Sequence, residues 1–165
     1  MRRLAFIAPV AAVLAIAAST QAQPSQPRVS VEIGPRLQAQ SLDLGREEVR
    51  RQADRLAQVV AGELNRSGRL DGAQVRLVLT DLKPNRPTFR QVSRAPGLSQ
   101  IHSIALGGAA VDIEVTTADG QRRTGQFEYF TQDLRDVQGF STWQDADRAY
   151  SRLATGLADG RVALR

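Results

Sequence analysis

Two hydrophobic periodicities alternate along this chain, and they constrain its fold more than any other feature. The segments 73–82 and 111–115 place apolar side chains at every second position, which is the period of a β-strand. The segments 49–64 and 143–157 place them at steps of three and four, which is the period of an amphipathic helix. Strands and helices are therefore both predicted, each with one apolar side that must be buried against another element.

The remaining strand patterns are shorter. Residues 29–33 alternate apolar and polar side chains, and Gly34-Pro35 ends that alternation. The 111–115 pattern is followed by Asp119-Gly120, a dipeptide typical of a β-hairpin turn, so the segment 124–131 is predicted to return as its partner strand.

The 73–82 segment is the strongest strand. Val78 and Leu82 make its second face partly apolar, which favours a central position in the sheet. The sequence predicts one core built from both periodicities; its members are Val49, Leu56, Val60, Leu77, Leu79, Val111, Ile113, Val115, Phe127, Tyr129, Tyr150, Leu153 and Leu157.

Capping signals bound the two helices. Asp43 is the predicted N-cap of the first helix and Gly68 its C-terminal stop, while the segment 142–145 resembles a capping box and Gly160 ends the last helix. The order β-α-β-β-β-α predicts an α+β fold, a two-layer sandwich of about four strands, antiparallel or mixed, with two helices on one face.

The N-terminal residues have the layout of a secretory signal peptide. Arg2 and Arg3 are followed by an uncharged apolar run and then by small residues, so residues 1–22 are predicted to be removed after Ala22. The predicted organisation is a signal peptide over 1–22, a disordered lead-in over 23–28 and a single α+β domain over 29–165. The mature chain is predicted to be soluble and periplasmic, with secretion to the medium as an alternative.

Composition excludes several classes of protein. The chain has no cysteine, so it forms no disulfide, has no thiolate metal site and cannot carry the lipid of a bacterial lipoprotein. Loss of Arg2 and Arg3 would leave 20 basic residues against 17 acidic ones, a net charge of +3. So small an excess in an exported protein argues against a nucleic-acid partner.

The segment 83–110 differs from the rest of the chain. It is long, contains three prolines and several cations, and has no acidic residue. A structureless connection of this length in a compact domain is usually functional or mobile. Two interpretations stay open: the segment binds an anionic ligand or a partner, or it is a solvated loop whose arginines pair with Asp81, Asp112 and Glu114. The candidate binding residues are Lys83, Arg86, Phe89, Arg90, Arg94 and His102.

The same segment carries a resemblance. The runs Lys83 to Phe89 (KPNRPTF), Pro96 to Ser99 (PGLS) and Gly107 to Ala109 (GGA) resemble a family of small exported bacterial proteins with no assigned function. The resemblance implies the same layout of leader, helix, loop, strand pair and C-terminal helix. It implies no activity, substrate or site.

Catalytic and cofactor signals are weak. His102, the only histidine, has Ser99 and Ser103 nearby, yet neither serine lies in a nucleophile-elbow motif, and one imidazole cannot build the usual zinc site. Gly107-Gly108 lacks the context of a nucleotide-binding motif. No catalytic residue, metal or cofactor is therefore predicted.

Three hypotheses of function follow. The first is a non-catalytic periplasmic binding or accessory module that contacts a cell-envelope component through the loop 83–110. The second is a small glycan or peptide hydrolase with Asp112 and Glu114, or His102, as the acid–base group. The third is a subunit of an envelope protein assembly. The sequence does not fix the partner or the oligomeric state.

Overall fold

A computed structural model describes residues 26–137 and 139–165. The predicted signal peptide and residues 23–25 of the predicted lead-in lie outside the described residues. Pro27 is buried, and Arg28 already belongs to the first strand, so the folded region starts before the predicted boundary at residue 29.

Four strands form one mixed sheet in the order β1-β2-β3-β4. They are β1 (Arg28–Ile33), β2 (Gln74–Lys83), β3 (Gly108–Thr116) and β4 (Arg122–Phe130). β1 runs parallel to β2, and the two remaining neighbour pairs are antiparallel. The parallel pair arises because two helices connect β1 to β2 and bring the chain back to the end of the sheet from which it started.

Helices cover one face of the sheet. They are α1 (Pro35–Leu44), α2 (Arg46–Ser67), the short α3 (Phe89–Arg94) and α4 (Gln144–Asp159), with a 3-10 turn at Leu134–Asp136. The long helices α2 and α4 pack against each other and, between them, against β1, β3 and β4. The predicted α+β class and its two-layer arrangement are confirmed.

The core lies between this helical layer and the sheet. All thirteen predicted core residues belong to it, with Phe127 and Tyr129 partly buried at its margin and the others buried. Leu37 and Leu44, from a helix that the sequence analysis did not predict, complete it. β2 is central, as predicted.

Helix boundaries differ from the prediction in three places. The chain makes a separate helix, α1, with Pro35 in its first turn, so Asp43 lies inside that helix and Gly45 is the N-cap of α2. Trp143, not Thr142, is the N-cap of α4, and its side chain makes no capping hydrogen bond. Gly68 and Gly160 end their helices in the left-handed conformation, as predicted.

One strand changes phase along its length. The register between β2 and β3 shifts between Leu79 and Asp81, which marks a β-bulge. The extra residue turns Leu82 onto the core face, where it is 2% exposed. The prediction that Leu82 lies on the second face with Val78 was wrong, because strict alternation cannot reveal a bulge.

The segment 83–110 is partly structured. Its ends belong to β2 and β3, and α3 interrupts the middle. Thr88 and Gln91 form a reciprocal capping box at the start of α3, since the Thr88 side chain accepts the Gln91 N–H and the Gln91 side chain accepts the Thr88 N–H. The prediction of a structureless loop was wrong over these residues. No helix among residues 26–137 and 139–165 is long and apolar enough to cross a membrane.

Candidate functional site

The connection between β2 and β3 is held together by a buried arginine. Arg86 is 5% exposed, and its guanidinium donates to the backbone oxygens of Gln100 and Gly139, each at 3.3 Å, and to that of Ile101. Its Cζ also lies 5.2 Å from the centre of the Phe140 ring. Arg86 therefore ties the turn at 99–103 to the segment that precedes α4.

Asn85 forms a second buried link. Its backbone N–H donates to Thr142 and its backbone oxygen accepts from Ala105, both at 2.8 Å. Its side chain exchanges hydrogen bonds with Asp145, whose backbone N–H lies 2.9 Å from Asn85 Oδ1. Asp145 is fully buried and also accepts from Thr131 Oγ1 at 2.7 Å and from Arg148 Nη1 at 3.0 Å. The negative carboxylate lies in the first turn of α4, where the helix dipole favours it.

Two glycines allow this packing. A Cβ at Gly107 would lie 2.5 Å from Asn85 Oδ1, and one at Gly108 would lie 2.1 Å from the backbone oxygen of Tyr129. Gly108 also has a φ of +149°, in the region that favours glycine. Asn85, Arg86, Gly107 and Gly108 lie in the runs on which the resemblance rests, and with Thr131 and Asp145 they join the loop to α4 and β4. We call these six residues the lock.

Apolar side chains in the segments around the lock are exposed to solvent. Eight large hydrophobic side chains are exposed in the described part of the chain, and all but Leu42 lie in the segments 84–107 and 131–143. We call these two segments, without Gln138, the loop surface. The most exposed are Phe140 at 85%, Phe89 at 74% and Ile101 at 70%. Such a concentration on an otherwise polar protein is typical of an interaction surface.

The predicted cations are divided between several environments. Arg86 is buried in the lock, which gives it a positioning role. Arg90 Nε donates to the Leu42 oxygen at 2.5 Å, and Arg94 Nη1 lies 3.3 Å from that oxygen and from Asp43 Oδ1. Both therefore neutralise the C-terminal end of α1. Lys83 Nζ lies 4.7 Å from the Phe130 ring centre, beside the sheet. The structure does not bring these side chains together around one point.

The histidine region is a compact turn. Ser99 Oγ accepts the backbone N–H of Ile101 and of His102, both at 3.2 Å, and Ser103 Oγ accepts the Ser99 N–H at 3.1 Å. The His102 side chain is exposed. In the described residues these serine hydroxyls are hydrogen-bonded to the backbone of the turn, and no hydrogen bond joins them to the imidazole.

The paired carboxylates of β3 lie on the face of the sheet that no helix covers, which we call the open face. Asp112 accepts from Gln126 at 3.1 Å, and Glu114 pairs with Arg122 at 2.5 Å. Arg76, opposite Glu114, makes two hydrogen bonds to Glu32 at 3.0 and 2.8 Å. These bonds, with the charge of Arg76, hold the pKa of the Glu32 carboxyl below its usual value.

The open face therefore carries a row of alternating charges that crosses all four strands, Glu32–Arg76–Glu114–Arg122. No group of three or more potential ligand side chains suited to a metal ion occurs within 26–137 and 139–165.

Buried polar residues of the lock were not singled out in the sequence. Asn85 and Thr131 both donate hydrogen bonds to Asp145, and Asn85 lies 60 residues from it in the chain. No local sequence pattern predicts a contact at that separation. The signal nearest to it was the box-like segment 142–145, which does place an acidic residue in the first turn of α4.

Comparison with known proteins adds little. No family model matches the chain, and no curated protein matches it. One similar solved structure is a minor lipoprotein from Acinetobacter baumannii, at 12% identity over 85% of this chain and 98% of that chain, with a TM-score of 0.36. That score is too low to establish a shared fold, and we draw no functional conclusion from it. The family resemblance stays a prediction.

Proposed function

We propose that the protein is a non-catalytic accessory module of the bacterial envelope, exported to the periplasm, which binds the anionic surface of a lipid bilayer through the loop surface. The observation that carries this proposal is the concentration of exposed apolar side chains on that surface. Ile101 and Phe140 are exposed to solvent although hydrogen bonds from Arg86 and Asn85 hold the backbone at or beside them, and Phe89 is exposed at the capped start of α3. A rigid segment that exposes aromatic rings contributes to binding without an added cost of ordering.

Charge supports an anionic lipid as the occupant. The segment 83–110 contains no acidic residue, and its cations Lys83, Arg90 and Arg94 lie on both sides of Phe89 in sequence. The segment 131–143 adds Asp133, Arg135 and Asp136, so the loop surface keeps a net positive charge. Arg94 remains 53% exposed despite its contact with Asp43. Aromatic and aliphatic side chains flanked by arginine and lysine are the combination that peripheral proteins use at the interface of anionic bilayers.

Vesicle sedimentation tests the proposal. The protein is expected to bind vesicles that contain phosphatidylglycerol, to bind pure phosphatidylcholine vesicles more weakly, and to lose affinity as salt rises. Replacing both exposed rings, Phe89→Ser with Phe140→Ser, should weaken binding by about tenfold or more, since each ring loses its burial in the bilayer.

Gln58→Ser is the control. Gln58 is exposed in the second half of α2, outside the loop surface, so its replacement should leave vesicle binding unchanged. Circular dichroism and thermal unfolding confirm that each variant folds. Wild-type protein that stays in the supernatant with anionic vesicles, or equal binding by the double variant, would overturn the proposal.

A further inference from the structure

The two edges of the sheet differ in how far other parts of the described chain cover them. At the β4 edge the last residues of the chain lie against the strand, where Thr124 and Arg165 exchange two backbone hydrogen bonds of 2.8 and 2.9 Å. Gly125 is required beneath them, because a Cβ there would lie 2.6 Å from the Ala163 oxygen. This edge is covered in its middle.

The β1 edge has no such cover within the described residues. The N–H groups of Arg28 and Gly34 donate toward β2, to Ala73 and Leu79, both at 2.9 Å. Alternate residues of a strand face the same neighbour, so the backbone groups of Val29, Val31 and Ile33 point away from the sheet. β1 contains no proline and no bulge, two of the devices that block an exposed edge, and its only charged residues are Arg28 and Glu32, of opposite sign.

We propose that this edge pairs with β1 of a second copy of the chain, antiparallel, to form a continuous eight-stranded sheet. The outward backbone groups of Val29 would pair with those of Val31 in the second copy, and the reverse. That register places Ser30 opposite Ser30 and Arg28 opposite Glu32, twice, all on the open face.

Charge selects this register. Arg28 and Glu32 are both exposed, and Arg28 makes no ion pair in the described part of the chain. Sliding one strand by two residues places Glu32 opposite Ser30, and a further slide places Glu32 opposite Glu32, which is unfavourable. In the proposed register each alternating row on the open face gains Arg28 of the other copy at its Glu32 end. Electrostatic complementarity of this kind sets register and partner choice.

The opposite face also fits the pairing. Val29, Val31 and Ile33 are only partly buried and lie at the margin of the core. Pairing would set Val29 beside Val31 of the second copy and extend the apolar layer across the junction. Both helical layers would then lie on the same side of the joined sheet.

A single cysteine tests the register directly. The natural chain has no cysteine, so Ser30→Cys introduces the only thiol. Facing residues of a non-hydrogen-bonded antiparallel pair have Cα atoms about 4.5 Å apart, within the range of a disulfide. Mild oxidation of the full chain should give a covalent dimer in high yield. Glu128→Cys, an exposed open-face position on β4, is the control and should remain largely monomeric.

Charge reversal tests the energetics. Sedimentation equilibrium of the wild-type chain should show a reversible dimer. Arg28→Glu should weaken dimerisation by about tenfold or more, because two attractive pairs become repulsive. Arg28→Ser should weaken the dimer less than Arg28→Glu, because it removes the attraction without adding repulsion, whereas Arg122→Glu, at the far end of the same row, should leave the dimer unchanged.

Several results would contradict the proposed dimer. A wild-type monomer at all accessible concentrations, or a dimer that is insensitive to Arg28→Glu and does not crosslink through position 30, would overturn the proposal. Capture of β1 by an extended segment of another protein would also overturn it. The experiment is independent of lipid binding, so the two proposals fail separately.

Discussion

At the scale of single residues, Asp145 shows how this fold uses a buried charge. Its carboxylate is fully buried but accepts hydrogen bonds from Asn85, Thr131 and Arg148. No described buried side-chain nitrogen or oxygen lacks a hydrogen-bond partner. A buried charge is tolerated when it is paired and fully hydrogen-bonded, and removing one partner then leaves the others unsatisfied.

Asp145→Ala should therefore lower the free energy of unfolding by about 2–4 kcal/mol. Asp147→Ala is the matched control on the same helix. Its carboxylate is 43% exposed and pairs with a half-exposed Arg55, so its loss should cost less than about 1 kcal/mol. Urea unfolding followed by circular dichroism measures both. Equal effects for the two aspartates would show that the lock does not stabilise the fold.

At the scale of elements, the helical layer contains one buried polar contact. Tyr150 of α4 is fully buried and donates its hydroxyl to Gln52 Oε1 of α2 at 3.3 Å. Burial, with a smaller effect of the Asp147 carboxylate, raises the pKa of the Tyr150 phenol far above its usual range. The folded protein therefore keeps this proton at pH values at which an unfolded tyrosine releases it.

This difference predicts loss of stability in alkali. Below about pH 10 both states hold the proton and the contribution is complete. Above that pH only the unfolded state releases it, so the free energy of unfolding should fall by about 1.4 kcal/mol per pH unit from this group. Urea unfolding between about pH 9 and 11.5 should show a slope that Tyr150→Phe reduces. An unchanged slope in that variant would contradict the assignment to Tyr150.

Elements whose hydrophobic pattern repeats many times were predictable from the sequence. Elements that depend on a cap or on contacts with distant residues were not. The stripes of α2 and α4 and the alternation of β2 and β3 each repeat many times, so the signal accumulates. α3 has only six residues and no buried side chain, so it has no stripe to detect; its signal was the pair Thr88 and Gln91. The helix α1 was hidden because Pro35 ends a strand and begins a helix equally well.

The same limit applies to the candidate site. Sequence reasoning located the segment 83–110, and within it Phe89 is exposed as a binding residue must be. The sequence does not distinguish Arg86, whose buried guanidinium donates to three backbone oxygens, from Arg90 and Arg94, whose side chains are exposed. The exposed Phe140 belongs to a second segment, which the contacts of Arg86 and Asn85 bring beside the first.

At the scale of the whole molecule, three surfaces have different character. The helical face covers the core and stabilises the fold. The open face carries a row of alternating charges. The loop surface contains most of the exposed apolar side chains among the described residues. Binding through the loop surface and pairing through β1 use separate parts of the molecule. Both segments of the loop surface follow the sheet at the end where β1 and β2 finish. In an antiparallel β1 pair the two loop surfaces would therefore lie at opposite ends of the joined sheet, so the dimer is not expected to bind one flat bilayer more tightly than the monomer.

Export is the remaining property of the molecule as a whole. The predicted cut after Ala22 falls ahead of every described residue, since Pro27 is the first buried residue and β1 begins at Arg28. Cleavage should therefore leave the fold intact. Intact-mass and N-terminal analysis of the protein from the periplasmic fraction of a bacterial host should give a chain that begins at Gln23, free or cyclised. A chain produced directly from Gln23 should fold and unfold cooperatively, because β1 and every described core residue lie after that position. Recovery of the intact chain, still beginning at Met1, in the inner membrane would contradict both the predicted cleavage and the periplasmic location on which the proposed function depends.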